Sequence, residues 1–136
     1  MATVYPYTGR AITTNRIKGA GGTEPLQIGW GTGAQTTALV SDTNLGPTTV
    51  EKDVDLTTGT GTRTAGTSSQ VTTDQTNDTY QVVGTRTATG AGAVTVAGLF
   101  DNATIGSGNM FMKGDFAAIN LANGDSIAFT FKMKFS

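Results

Sequence analysis

The chain has 136 residues, a formal net charge of -1 and a charged fraction of only 14%. We therefore expect one domain with no bias toward nucleic acid. Cysteine and histidine are both absent, which excludes disulfides, thiolate nucleophiles and the commonest general base and imidazole metal ligand near neutral pH. We therefore expect a protein that is not an enzyme and that has no catalytic residue, no cofactor and no bound metal.

Threonine makes up about a fifth of the chain, a content that favours pleated strands over helices. The 19 glycines suit tight turns between such strands. Composition alone therefore predicts β structure.

Residues 1–23 predict an extended N-terminal arm that fastens the chain to a partner. This segment has no acidic residue, shows no regular apolar period and ends in a glycine-rich run. Aromatic side chains suit a partner's pockets, and basic side chains suit an acidic surface. The candidate partner-binding residues are Tyr5, Tyr7, Arg10, Arg16 and Lys18. A frayed terminus is the alternative interpretation.

The start of the chain has no basic-then-apolar leader, and no apolar run approaches the roughly 20 residues that span a bilayer. We expect a soluble protein that is synthesised in a cytoplasm and has no membrane partner.

Residues 24–136 predict a single β-sandwich domain that begins with a half-buried strand. Leu26, Ile28 and Trp30 occupy every second position, which is the period of a strand with one buried face. Trp30 is interpreted as a core anchor. The polar segment after it, around residues 42–45, predicts either one helical turn or a loop.

A second strand is predicted at 50–56, with an apolar face that includes Val50 and a face formed by Glu51, Asp53 and Asp55. Such an acidic face is expected to be solvated or paired with a basic partner. A calcium site is not expected there, because alternate residues of a strand diverge from the compact arrangement of a calcium loop.

The stretch from 57 to 73 consists almost entirely of Thr, Gly, Ser and Ala. It predicts a long exposed loop, since it offers little apolar surface to offset the entropy of ordering. A hairpin within it is the alternative, because threonine favours strands.

Strands are predicted at 79–89 and 94–100, and two short strands at 110–113 and 116–121. Residues 123–125, Asn-Gly-Asp, predict the turn of a closing hairpin. The last strand has the clearest alternation of all. Its expected core face comprises Ile127, Phe129, Phe131, Met133 and Phe135.

Seven or eight short strands without a clear helix predict an all-β fold, an antiparallel β-sandwich with an extended N-terminal arm. Jelly rolls are the sandwich variety that recurs in viral particles. We therefore expect a jelly-roll-like connectivity.

Several segments, taken in order and spacing, resemble small structural proteins of tailed bacteriophages, of the head-decoration (cement) or fibre type. The segments are 28–33 (Ile-Gly-Trp-Gly-Thr-Gly), 42–45 (Asp-Thr-Asn-Leu), 79–85 (Thr-Tyr-Gln-Val-Val-Gly-Thr), 97–101 (Ala-Gly-Leu-Phe-Asp), 116–121 (Phe-Ala-Ala-Ile-Asn-Leu) and 123–127 (Asn-Gly-Asp-Ser-Ile).

The resemblance implies an all-β fold, a homotrimer and a position on the surface of the virion. The short chain favours a capsid decoration protein that bridges neighbouring subunits of the major capsid protein. The alternative is a short head or tail fibre, or a receptor- or carbohydrate-binding tip. No catalytic residue is implied.

Overall fold

The computed structural model describes residues 1–136 and contains nine β-strands and one α-helix. The helix α1 (Tyr7–Lys18) follows the first strand. The strands are β1 (Ala2–Val4), β2 (Gln27–Gly33), β3 (Thr49–Lys52), β4 (Thr64–Ala65), β5 (Thr67–Val71), β6 (Thr79–Thr87), β7 (Gly92–Phe100), β8 (Met110–Leu121) and β9 (Ser126–Lys134).

The strands form two antiparallel sheets that pack against each other. The larger sheet has the order β1-β8-β7-β2-β3, with β4 also paired to β2, and the smaller sheet has the order β5-β6-β9. Every paired strand is antiparallel to its neighbour. The predicted all-β sandwich is confirmed, whereas jelly-roll connectivity stays a prediction.

Apolar side chains from both sheets fill the space between them. Ile28 and Leu99 of the larger sheet share one cluster with Val82 and Phe131 of the smaller sheet. Trp30 is fully buried in a neighbouring cluster, and its ring meets Phe129 edge-on at a centroid distance of 6.4 Å. The interpretation of Trp30 as a core anchor is confirmed.

The outer face of the larger sheet is covered by the segment between β2 and β3. Leu45 of this segment packs with Val96, Phe100 and Met110 in a third cluster. The segment forms turns and a loop, not a helix. Of the two alternatives that the sequence left open around residues 42–45, the loop is therefore the observed one.

The extended arm predicted for residues 1–23 is wrong in conformation. Val4 pairs with Lys113 as part of the β1–β8 ladder, and residues 7–18 form a helix whose Ile12 belongs to the same core cluster as Ile28. Only Gly9 and Ile12 of this helix are buried. Because so few apolar positions face the core, the sequence lacks the period that identifies an amphipathic helix.

The strand predicted at 50–56 is shorter than expected, and its apolar face is partly wrong. β3 ends at Lys52, and Val50 is 57% exposed. Leu56 is buried, but it lies beyond the strand. β3 is an edge strand of the larger sheet and has a neighbouring strand on one side only. At an edge, the alternation of apolar and polar residues does not by itself predict which side chains are buried.

Two other segments differ from the simplest prediction. The stretch from 57 to 73 contains β4, which pairs with β2, and β5, which pairs with β6. It is therefore not one long exposed loop, and the alternative of a hairpin within it is also wrong, because its two strands pair with strands outside the stretch. The two short strands expected between 110 and 121 are one continuous strand, β8, with irregular pairing to β7.

The only helix has 12 residues and is neither long nor apolar enough to cross a membrane.

Candidate functional site

The helix α1 carries four of the five predicted partner-binding residues and is strongly basic. It begins directly after Pro6 and ends at Gly19, whose φ of 74° is the left-handed conformation that glycine adopts most readily. Arg10, Arg16 and Lys18 give it three positive charges without an acidic residue.

The helix approaches β8 closely through Gly9. A Cβ atom at this position would collide with the carbonyl oxygen of Phe111 and with the ring of Tyr5. The absence of a side chain therefore allows the helix backbone to lie directly on the strand. This contact determines where the basic side chains point.

Three of the predicted residues lie together at the start of the helix. The ring of Tyr5 meets Phe111 edge-on at a centroid distance of 5.3 Å, and its hydroxyl group is hydrogen-bonded to Thr13. Tyr7 is 59% exposed. The guanidinium carbon of Arg10 lies 5.2 Å from the ring centroid of Tyr7 and 5.9 Å from that of Tyr5. Tyr5 supports the helix, whereas Tyr7 and Arg10 face solvent.

The other two predicted residues lie at the end of the helix, away from this aromatic group. Arg16 donates a hydrogen bond to the carbonyl oxygen of Gly22 at 2.9 Å, which leaves the rest of its guanidinium group free to bind. Lys18 is exposed in the last turn. Basic side chains near the C-terminus of a helix are favoured by the helix dipole.

An apolar cleft of about 470 Å³ lies beside this end of the helix. It is bordered by α1, by the chain just before β2, by β5 and β6, and by the end of the chain. Its lining comprises Ile12, Thr13, Arg16, Ile17, Glu24, Pro25, Gln70, Tyr80, Phe111 and Phe135. Ile17 is 81% exposed and Phe135 is 49% exposed, so large apolar side chains lie open to solvent at its rim.

The floor of the cleft is held rigidly by Tyr80. Its ring meets Phe111 nearly perpendicularly at a centroid distance of 5.7 Å. Its hydroxyl oxygen lies 2.9 Å from the carbonyl oxygen of Pro25 and 3.2 Å from a carboxylate oxygen of Glu24, so its single proton is shared between these two acceptors. Burial raises the pKa of the Tyr80 phenol, and the negative charge of Glu24 raises it further. Tyr80 thus stays protonated near neutral pH and shapes the cleft as a fixed hydrogen-bond donor.

The acidic residues considered for a metal site do not converge. Glu51 binds Arg63 through two hydrogen bonds of 2.7 and 3.0 Å, and Asp53 lies 3.6 Å from the guanidinium group of Arg86. Asp55 accepts hydrogen bonds from the backbone and side chain of Thr57 instead. No group of three or more acidic side chains is arranged to hold a metal ion.

The buried cations that pair with these acids were not identified from the sequence. The side chains of Arg63 and Arg86 are at most 2% exposed, and so is that of Lys113, which pairs with Asp42 instead. Burial lowers the pKa of the Arg86 guanidinium group, and the charges of Asp53 and Glu51 oppose that change. The signal in the sequence is the acidic residues on a strand of a chain that has few charges. A buried carboxylate needs a partner, so these acids indicate basic side chains buried beside them.

One further acidic side chain, Asp115, has no basic side chain as its partner. It accepts hydrogen bonds from Gln35 and from the backbone of Ala2 and Ala38. Burial by itself would raise the pKa of Asp115, but the hydrogen bonds outweigh it and hold the pKa below its usual range.

Comparison of this chain with protein-family models, with curated proteins and with solved structures found no match.

Proposed function

We propose that this chain is a non-catalytic structural protein of a bacteriophage particle. In this proposal it is a homotrimeric capsid decoration protein on the head surface, and it bridges neighbouring subunits of the major capsid protein. Two things support it: the resemblance of the segments between 28 and 127 to phage decoration and fibre proteins, and a surface suited to binding a protein partner.

The observation that carries the proposal is the apolar cleft beside a helix without acidic residues. Exposed apolar side chains at Ile17 and Phe135 lie next to Arg16, and Lys18 lies one residue further along. Exposed apolar groups rimmed by charge are typical of protein interfaces. Glu24 in the same lining is hydrogen-bonded to Tyr80, so the partner that fits this surface offers apolar side chains and places a carboxylate against Arg16.

The first experiment tests this surface by binding to purified particles that lack the protein. Ile17→Asp removes the exposed apolar group, and Arg16→Glu reverses the charge beside it. Each is expected to weaken attachment at least tenfold, which corresponds to about 1.4 kcal/mol. Val50→Asp is the matched control, because Val50 is similarly exposed but lies on β3. Equal binding by Ile17→Asp, Arg16→Glu and the wild type would place the docking surface elsewhere.

A short fibre or a receptor- or carbohydrate-binding tip is the second candidate. It rests on Tyr7, an exposed aromatic ring with Arg10 over its face, which is the kind of platform on which a sugar stacks. Copy number and position on the particle separate the two functions. Hundreds of copies on the head support a decoration protein, whereas a few copies at one vertex or on the tail support a fibre.

A further inference from the structure

The longest free strand edge of this protein belongs to β9. This strand ends the smaller sheet and pairs only with β6, so one side of its backbone has no neighbouring strand. The other strands that end a sheet are β1, β3 and β5, with three, four and five residues, whereas β9 has nine. Short edges are one way in which proteins prevent pairing between sheets.

The middle of β9 also lacks the other protective features of an edge strand. Residues 127–131 read Ile-Ala-Phe-Thr-Phe, with no charge and no proline. The pairing of β9 with β6 continues over nine residues without a bulge. Charges, prolines and bulges are the usual means of blocking an edge, so this segment is open to strand addition.

An apolar slit of about 340 Å³ runs beside this edge. Its lining includes Met112 and Phe116 of β8 and Phe129 and Phe131 of β9. Lys132 and the N-terminal residues Met1 and Thr3 also border it. Core side chains are therefore reachable from solvent along the same side of the molecule that presents the free backbone. A strand added to β9 would satisfy the backbone groups and cover the slit together.

We infer that β9 pairs with β9 of a second copy of this chain, antiparallel about a twofold axis. The two three-stranded sheets then become one six-stranded sheet. In an antiparallel pair, side chains directly opposite each other lie on the same face, so even-numbered positions must face even-numbered ones to keep the apolar side inward. The register centred on Thr130 meets this condition and pairs all nine residues.

The side chains of β9 are compatible with pairing to themselves in this register. On the inner face, Phe129 lies opposite Phe131 of the second copy. On the outer face, Lys132 lies opposite Ala128, and Lys134 lies opposite Ser126. No lysine meets a lysine, and a net charge of -1 per chain adds little repulsion between copies.

This twofold contact goes beyond the proposed decoration function and does not depend on it. In a homotrimer the contact would join one trimer to the next, because a twofold pairing is self-complementary and separate from the threefold contact. In the absence of a trimer it produces a dimer.

The test changes Ala128, which is exposed on the outer face of the smaller sheet and lies opposite Lys132 of the second copy. Ala128→Lys places two lysine pairs across the contact, and Ala128→Glu places two opposite-charge pairs there. Thr85→Lys is the matched control, because Thr85 is the exposed neighbour of Ala128 on β6, one strand further from the contact.

Sedimentation equilibrium over a concentration series measures the association. We expect wild-type protein to associate in pairs, as monomer to dimer or trimer to hexamer. Ala128→Lys is expected to weaken this pairing by about three- to thirtyfold, from two like-charge contacts. Ala128→Glu should pair at least as tightly as the wild type, and Thr85→Lys should match it.

Amide hydrogen exchange of the wild type is a second measurement that needs no variant. The β9 amides whose N–H groups point toward the free edge should exchange more slowly as the protein concentration rises. The inference is overturned if pairing is absent up to about 1 mM, a concentration at which even a weak contact is visible. It is also overturned if Ala128→Lys pairs like the wild type. Trimers that do not pair would contradict this inference and leave the proposed homotrimer standing.

Discussion

At the scale of single residues, buried charges hold the loops of this protein to its sheets. Arg63 binds Glu51 through two hydrogen bonds, donates to the carbonyl oxygens of Asn102 and Ser107, and lies with its guanidinium carbon 3.5 Å from the ring centroid of Phe100. One side chain thus connects β3, the loop before β4 and the loop after β7. Because the side chain of Arg63 is buried and that of Glu51 is largely buried, each charge depends on its partner.

Removal of Arg63 alone is expected to be strongly destabilising. Arg63→Ala should cost about 3–5 kcal/mol in the free energy of unfolding, because Glu51 then keeps a buried charge without a partner. In the double variant Arg63→Met/Glu51→Gln, neither charge remains, so a large part of the loss should be recovered. Urea unfolding of both variants measures the difference. If the double variant is no more stable than Arg63→Ala, the lost hydrogen bonds to the loop carbonyls dominate instead.

Phe131 tests whether the inner face of β9 contributes to the core. Its side chain is 8% exposed and contacts the cluster around Ile28 and Leu99. We expect Phe131→Ala to cost about 3–5 kcal/mol, as is usual for a buried phenylalanine. Lys132→Ala, on the exposed face of the same strand, should change stability by less than about 0.5 kcal/mol. A loss below about 1 kcal/mol for Phe131→Ala, measured by urea unfolding, would contradict the burial of this face.

At the scale of elements, the helix α1 depends on packing and not on its own sequence. With 12 residues it is near the length at which isolated helices are marginal in water. Its threonines and the glycine in its first turn are poor helix formers. The contacts of Gly9 and Ile12 with the larger sheet therefore provide the stability that the sequence of the helix lacks.

Gly9→Ala should destabilise the protein although alanine favours helices. The intrinsic gain from replacing a helix glycine with alanine is at most about 1 kcal/mol. The added methyl group meets the backbone of Phe111, which cannot move aside easily, so we expect a net loss of about 1–3 kcal/mol. Thr14→Ala, on the exposed side of the helix, should stabilise by up to about 0.5 kcal/mol. Thermal unfolding of both variants compares the signs, and stabilisation by Gly9→Ala would refute the close contact.

The loop between β5 and β6 is organised by a single carboxylate, that of Asp78. Hydrogen bonds from the backbone N–H groups of Gln75, Asp74 and Thr73 lower the pKa of Asp78 far below its ordinary value of 3.8. The pKa of Asp78 is lower in the folded state than in the unfolded state, so its carboxylate makes its full contribution to the stability of the fold above pH 3.8. It is lost as the pH falls through the lower folded-state value.

Asp78→Asn should therefore disturb the loop at neutral pH, where the wild type is ordered. An amide has one carbonyl acceptor in place of two carboxylate oxygens, so it cannot accept all three backbone hydrogen bonds equally. NMR spectra should show shifted resonances and faster exchange for the amides of residues 73–75. Asp125→Asn, in the turn before β9, is the control and should leave these resonances unchanged. In the wild type, the same resonances should move only well below pH 3.8.

At the scale of the whole molecule, the N-terminal segment is part of the sandwich. β1 completes one edge of the larger sheet, and Ile12 closes a core cluster that otherwise consists of residues from the strands. An independent arm could be removed without loss of stability. This segment cannot, because its removal exposes the apolar side chains that it covers.

Deletion of residues 1–18 is accordingly expected to destabilise the remaining chain. Loss of a buried isoleucine and a strand should cost about 3 kcal/mol or more, which lowers Tm by about 10 °C or more in a domain of this size. Thermal unfolding followed by circular dichroism measures the change. A truncated chain with an unchanged Tm would show that the segment behaves as an independent arm after all.

The sequence by itself determined the predominance of strands, the buried face of β2, most of the inner face of β9 and the chain reversal at 123–125, because all of these are local patterns. The closing hairpin predicted at that reversal is wrong, because β8 and β9 lie in different sheets and do not pair. Phe135, predicted for the core face, lies beyond β9 and is 49% exposed. In β2 and β9 a period of two identifies a half-buried strand, and Asn-Gly-Asp identifies a chain reversal. The burial of Trp30 was also predictable, because Trp30 lies on the same face of the strand as Leu26 and Ile28, and that face packs into the core.

The tertiary structure alone decided the helix α1, the burial of Arg63 and the neighbourhood of the apolar cleft. α1 forms because β8 offers a surface for Gly9 and Ile12, and no pattern within residues 7–18 reveals that surface. Arg63 is buried because Glu51 on β3 lies within hydrogen-bond reach across the fold. The cleft combines Arg16, Tyr80 and Phe135, which are far apart in the chain, so its existence depends on how the sheets and the helix pack.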